Sequence, residues 1–149
     1  MQIFGVPIQI LVYIFAALLG SWALFHVWKL NARRAASTKF RSAVLKALSG
    51  LYPLPTDWPN ISAAIEPRLK AIFSELQIAI AEFRPFIPWY NRRAFDQAWL
   101  RYRNAYSDRE EREADYQCYH HYMAFDDNPE YKEQFRHNVD KLLFFAKYH

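Results

Sequence analysis

The chain has 149 residues, 52% hydrophobic and 18% aromatic, which is enough for one folded domain plus an additional segment. Three Gly and eight Pro exclude a collagen-like or Gly-rich low-complexity chain, and one Cys excludes an internal disulfide framework. The net charge is +4, and the charged residues are unevenly distributed along the chain.

Residues 1–30 are predicted to form a membrane anchor. Residues 8–28 are a run of 21 residues without Asp, Glu, Lys or Arg. At about 1.5 Å per residue, a helix of this length crosses a hydrocarbon core of about 30 Å. A secretory signal has basic residues before a shorter apolar run, whereas here the basic residues follow a longer one. The sequence therefore predicts an uncleaved, single transmembrane helix.

Basic residues flank the apolar run on its carboxyl side. Six of them precede the first acidic residue, Asp57: Lys29, Arg33, Arg34, Lys39, Arg41 and Lys46. The positive-inside rule then places the amino terminus outside the cell membrane and residues 30–149 in the cytoplasm. The membrane interface, in contact with lipid, is expected at Trp28, Lys29, Arg33 and Arg34.

Residues 31–60 are predicted to be a basic juxtamembrane helix followed by a Pro-rich connector. Residues 31–49 are rich in helix formers, and Gly50 is a natural stop. This segment either continues the membrane helix as a stalk or lies on anionic headgroups. Three Pro residues in 51–60 prevent regular hydrogen bonding, so an extended segment held by its aromatic side chains is expected there.

Residues 61–149 are predicted to form a small cytoplasmic domain of four helices, which makes the fold class all-α. Short turns between the helices favour antiparallel neighbours. The predicted boundaries are Pro67 and Pro85 for the first helix, a cap at Asn91 for the second, the capping box Ser107–Glu110 for the third, and Asn128–Pro129 for the fourth. The predicted buried stripes are Leu69, Ile72, Phe73, Leu76, Ile80 and Phe83; then Phe95, Ala98, Trp99, Tyr102 and Tyr106; then Ala114, Cys118, His121 or Tyr122, and Phe125; and finally Tyr131, Phe135, Val139, Leu142, Leu143 and Ala146.

Few residues could take part in catalysis or metal binding. The sequence has no Gly-rich phosphate loop, H-E-x-x-H, paired C-x-x-C or G-x-S-x-G motif. Cys118, His120, His121 and His137 are candidate metal ligands because thiolate and imidazole bind metal ions. On a helix, however, Cys118 and His120 would point about 200° apart, and a buried Cys beside partly exposed His residues is the alternative interpretation. We therefore expect no cofactor.

Arginine and aromatic residues alternate around the second predicted helix. The set comprises Arg84, Arg92, Arg93, Arg101 and Arg103 with Phe86, Trp89, Tyr90, Trp99 and Tyr102. Such residues are enriched in protein interfaces, and they can also bind single-stranded nucleic acid. From Asp57 onward the chain carries 15 acidic against 13 basic residues, which disfavours nucleic acid. The predicted partner-binding residues are Trp89, Tyr90, Arg92 and Arg93, and stacking of Arg stems on aromatic rings is the alternative.

The predicted function is that of a single-pass membrane protein whose non-catalytic cytoplasmic domain is an accessory or regulatory module. Its partner would be another protein or a second copy of the chain. Two alternatives stay open at this point. One is a membrane-tethered metal-binding or Cys/His-dependent enzyme that uses Cys118, His120, His121 and His137. The other is a membrane-tethered nucleic-acid binder that uses the Arg and aromatic residues.

Overall fold

A computed structural model describes residues 2–3, 6–104, 117–124 and 130–147. These residues confirm a helical fold with four α-helices: α1 (Ile8–Ala47), α2 (Ile65–Phe83), α3 (Arg92–Arg103) and α4 (Tyr131–Phe144). Single 3-10 turns are formed by Ser62–Ala64, Arg84–Phe86, Trp89–Asn91 and His120–Tyr122. Two strands of two residues each, β1 (Gln2–Ile3) and β2 (Val6–Pro7), pair antiparallel ahead of α1.

The chain divides into two compact units, residues 1–35 (unit 1) and 36–149 (unit 2). Unit 1 contains the apolar part of α1, which is long and apolar enough to cross a membrane by length and composition. Its large side chains are exposed rather than packed in a protein core, as Tyr13 at 74% and Leu24 at 73% show. The ring of Trp22 stacks on that of His26, with the centroids 5.1 Å apart.

Unit 2 begins with the last turns of α1, which contribute directly to its core. Phe40, Val44 and Leu48 are buried, because residues four apart lie on one face of a helix. The sequence left open whether this segment continues the membrane helix as a stalk or lies on lipid headgroups. In the structure α1 continues to Ala47, and Leu48 follows directly. The apolar stripe, which the prediction did not assign to the core, is buried. Beyond the helix, Gly50 has a φ of +81°, a left-handed conformation that glycine adopts without strain.

The stripes predicted for three helices form most of the rest of the core. The buried members are Leu69, Phe73, Leu76, Ile80 and Phe83 on α2; Phe95, Ala98, Trp99 and Tyr102 on α3; and Phe135, Val139, Leu142, Leu143 and Ala146 on or just after α4. The ring of Phe73 stacks on that of Trp99, and the ring of Phe95 contacts Phe145 edge-on. Tyr106 lies outside the described residues. The helical periodicity therefore identified the core-facing side of each of these helices correctly.

The Pro-rich connector packs on α4. The ring of Trp58 lies 5.8 Å from that of Tyr131 and 5.4 Å from that of Phe135, measured between centroids. Tyr52 Oη donates a hydrogen bond of 2.6 Å to a carboxylate oxygen of Asp140. Burial, and then this hydrogen bond, raise the pKa of Tyr52 to about 12. These contacts confirm that aromatic side chains hold the connector against the folded unit.

The predicted third helix falls mainly outside the described residues, as do the capping box Ser107–Glu110 and Asn128–Pro129. Where the chain is described again, residues 117–124 do not form an α-helix. The backbone N–H of Cys118 donates to the carbonyl of Arg103 at 2.9 Å, and Cys118 forms a parallel bridge with Asn104. The prediction of a helix through Cys118 and His121 is therefore wrong. The fourth helical segment among the described residues of unit 2 is the end of α1.

Asn91 precedes α3, as predicted, but its side chain makes no capping hydrogen bond to the helix. The reason is local geometry. Trp89–Asn91 already form a 3-10 turn, and Asn91 itself has near-helical dihedral angles of −100° and −7°. A cap residue needs an extended conformation to turn its side chain back onto the first helical N–H groups.

Candidate functional site

The turn between α2 and α3 exposes three aromatic side chains, which we call the aromatic turn: Phe86, Trp89 and Tyr90. Trp89 is 80% exposed, Tyr90 66% and Phe86 40%. The rings of Trp89 and Tyr90 contact each other edge-on with centroids 5.9 Å apart. Pro85, before Phe86, and Pro88, before Trp89, restrict the backbone of the turn, because each fixes its own φ and limits the residue before it.

Two arginines hold the aromatic turn in place. Arg84 Nε and Nη2 each donate a 2.8 Å hydrogen bond to one carboxylate oxygen of Asp96, which joins the end of α2 to α3. This bidentate hydrogen bonding lowers the pKa of Asp96 below its ordinary value. Arg92 Nε donates to the carbonyl of Ile87 at 3.2 Å, and its Nη2 lies 3.5 Å from the carbonyl of Pro85. The turn is thus supported from both helices.

The five arginines predicted around the second helix differ in their contacts and in their exposure. Arg84 and Arg92 hydrogen-bond within the protein, although Arg84 remains exposed, as do Arg93 and Arg101. Arg103 is buried. Arg92, predicted to bind a partner, also supports the turn.

A groove of about 240 Å³ lies between α3 and α4. Its lining residues are Ala94, Gln97, Ala98 and Arg101 on α3, with Lys141, Phe144 and Phe145 at the end of α4. The two Ala side chains are short, which creates the depression. One end of the groove carries the cations of Arg101 and Lys141. The other end carries Phe144, which is 52% exposed. Sequence reasoning missed this groove because its residues come from two helices that lie apart in the chain.

The candidate metal ligands have separate surroundings. His120 Nδ1 lies 3.6 Å from a carboxylate oxygen of Glu66, and His137 is exposed on α4. Cys118 is half-buried. The ring of His121 lies 3.7 Å from that of Tyr122, and burial lowers its pKa to about 4, so the imidazole is neutral at neutral pH. Among the described residues, no group of three or more His, Cys, Asp or Glu side chains could hold a metal ion.

Three buried tyrosines, Tyr102, Tyr119 and Tyr122, form a cluster. The sequence predicted burial of Tyr102, and of Tyr122 as an alternative to His121, but Tyr119 and the contacts among the three were missed. Tyr122 Oη donates to the carbonyl oxygen of Tyr102 at 2.9 Å and accepts a 3.0 Å hydrogen bond from Asn138 Nδ2. Burial raises the pKa of Tyr122 and of Tyr102, so both are neutral. The available signal was Asn138, a polar residue beside Val139 on an apolar helix face. The cluster joins residues 119–122 to α3 and α4.

Residues predicted at the membrane interface lie on α1. Trp28 is 67% exposed, and its ring lies 6.2 Å from that of Phe25.

The chain matches no protein-family model, no curated protein and no solved structure.

Proposed function

We propose that the chain is a single-pass membrane protein whose unit 2 is a non-catalytic, protein-binding module on the cytoplasmic side of the cell membrane. The exposed apolar side chains of α1 in unit 1 support the anchor, since contiguous apolar surface of this extent is rare in water. The order of apolar run and basic residues supports the orientation.

The observation that carries the binding proposal is the groove between α3 and α4. An apolar floor with cations at one end fits an amphipathic helix of the partner that bears acidic side chains. The aliphatic or aromatic face of that helix would lie on Ala94, Ala98 and Phe144. Its carboxylates would face Arg101 and Lys141. A preformed groove on two packed helices binds with little loss of conformational freedom.

The anchor and its orientation are tested by cysteine labelling in intact cells. In a Cys118→Ser background, Gln2→Cys should react with a membrane-impermeant maleimide added outside, whereas Ile61→Cys should react after permeabilisation. Ile61 is 73% exposed in unit 2, so its label reports access rather than burial. The reverse labelling pattern, or a mature chain shortened at its amino terminus, would contradict the proposal.

The groove is tested by photo-crosslinking in native membranes. A photoreactive residue at Gln97, inside the groove, should give a discrete adduct that the same residue at the exposed Glu75 on α2 does not give. Reversing both groove cations, Arg101→Glu with Lys141→Glu, should abolish the adduct. Reversal of Arg136, an exposed cation elsewhere on α4, should leave it unchanged. An adduct insensitive to the groove charges would refute an acidic partner helix.

A further inference from the structure

The aromatic turn lies at the end of unit 2 where the chain enters from α1. Two contacts, one near each end of α2, establish this. Arg68 Nη2 lies 3.3 Å from the carbonyl of Ser49, and the ring of Phe40 stacks on that of Phe83 with centroids 4.6 Å apart. The end of α1 and α2 therefore run antiparallel. The chain beyond Phe83 continues toward the level of Ala36, where unit 2 begins.

The end of α4 lies at the same end of unit 2. The ring of Phe95, near the start of α3, contacts Phe40 at 6.0 Å and Phe145 at 5.4 Å, measured between centroids. Phe144 beside it is 52% exposed, and Lys147 Nζ lies 5.6 Å from the centroid of its ring. Exposed aromatic rings and cations are therefore concentrated at this end.

Chain length keeps this end close to the bilayer. Ala36 lies eight positions after Trp28, the end of the apolar run, and the seven residues between them all belong to α1. At the helical rise this separation is about 12 Å, somewhat more than the headgroup layer of one leaflet at about 5–8 Å. The covalent chain sets this upper limit.

The side chains of the aromatic turn have the chemistry of a membrane interface. Trp and Tyr concentrate at the level of lipid headgroups, because their rings are apolar while their N–H and O–H groups reach water. Arg93, exposed next to the turn, adds a cation that anionic headgroups attract. Because Arg84 and Arg92 already fix the turn, contact with lipid requires little further ordering.

From these observations we propose that the aromatic turn is a second membrane contact, in which Trp89 and Tyr90 enter the headgroup layer and Arg93 binds anionic lipid phosphates. The proposal rests on the anchor of the proposed function but not on the partner groove. The sequence analysis expected a protein to bind at this turn, whereas the proposal here is that the turn contacts lipid.

The test uses the full-length chain in nanodiscs that contain phosphatidylglycerol. A fluorescent label on Asn91→Cys, in the Cys118→Ser background, leaves Trp89 and Tyr90 in place. Asn91 is exposed beside them. The matched control is a label on Ile61→Cys, which precedes α2 at the opposite end of unit 2. A third label, on Leu24→Cys, monitors insertion of the anchor.

Lipid-borne quenchers should reduce the fluorescence of the label at position 91 several-fold more than that of the label at position 61. Aqueous iodide should instead quench the label at position 61 more strongly. Changing Trp89 and Tyr90 together to Ser should make position 91 as accessible to iodide as position 61. Arg93→Gln should lower the shielding in phosphatidylglycerol to the level found in phosphatidylcholine. Circular dichroism of the variants checks that the helices are retained.

The opposite outcomes are separable. A label at 91 that iodide reaches freely, while the label at 24 is quenched by lipid, overturns this inference and leaves the anchor intact. A label at 24 that lipid does not quench overturns both. Equal shielding in the two lipids overturns the role of Arg93. Shielding at 91 that requires added membrane protein would assign the turn to a protein partner instead.

Discussion

The ring of Phe40 lies parallel to the ring of Phe83, with an interplanar angle of 8° and centroids 4.6 Å apart. This contact joins the end of α1 to the end of α2, and Phe95 packs edge-on against both rings. Phe40 is 2% exposed, so its loss leaves a cavity. We expect Phe40→Ala to lower the free energy of unfolding of unit 2 by about 3–4 kcal/mol.

The measurement is urea unfolding of the full-length chain in mild detergent, followed by tryptophan fluorescence, to which the buried Trp99 contributes. Leu45→Ala is the matched control, because Leu45 is on the same helix but exposed and should change stability by less than about 0.5 kcal/mol. Equal effects of the two substitutions would mean that residues 36–47 are a stalk rather than part of the core.

Gly50 occupies a position that a side chain would strain. Its φ is +81°, and a Cβ placed there would lie 2.9 Å from the Cβ of Asp57. We expect Gly50→Ala to destabilise unit 2 by about 1–3 kcal/mol, from the left-handed backbone together with the displaced Asp57. Thermal unfolding in detergent measures the loss. Ser49→Ala is the neighbouring control, and a wild-type melting temperature for Gly50→Ala would refute the strain.

The hydrogen bond from Asn138 to Tyr122 is buried at both ends. Asn138→Ala removes a donor from the hydroxyl group that also donates to the carbonyl of Tyr102. We expect a loss of about 1–3 kcal/mol in the free energy of unfolding, because a buried hydroxyl loses a partner. Amide hydrogen exchange should rise at residues 119–122. His137→Ala, an exposed neighbour on α4, should leave both quantities near the wild-type values.

Periodicity made the stripes of α2, α3 and α4 predictable, because each buried set repeats every three or four residues. The same rule applied to Phe40, Val44 and Leu48, but their neighbours Lys39, Arg41 and Lys46 suggested either a stalk that continues the membrane helix or a segment on lipid headgroups. Tertiary contacts decided the outcome. The apolar face at the end of α1 packs against the other helices of unit 2 and is buried in their core.

The candidate sites were less predictable, since a site joins residues that lie apart in the chain. A turn at Trp89 and Tyr90 could be predicted from Pro85 and Pro88, which precede them. The role of Arg92 in supporting the turn could not be predicted, because its hydrogen bonds go to backbone carbonyls, which every residue has. The same holds for the groove, whose cations Arg101 and Lys141 come from different helices.

His121 should make the stability of unit 2 depend on pH. Its ordinary pKa of 6.5 is lowered to about 4, mainly by burial. Between these values the unfolded chain binds a proton that the folded chain does not, so acidification favours unfolding. The stabilisation by neutral His121 is complete above pH 6.5 and decreases as the pH falls toward 4.

From pH 6.5 to 5, the free energy of unfolding should fall by about 1 kcal/mol per pH unit from this group. Urea unfolding at half-unit steps measures the slope. His121→Gln should flatten it, since the amide does not titrate in this range. His137→Gln, on an exposed histidine, should keep the wild-type slope. A slope that survives in His121→Gln would assign the pH dependence to other groups.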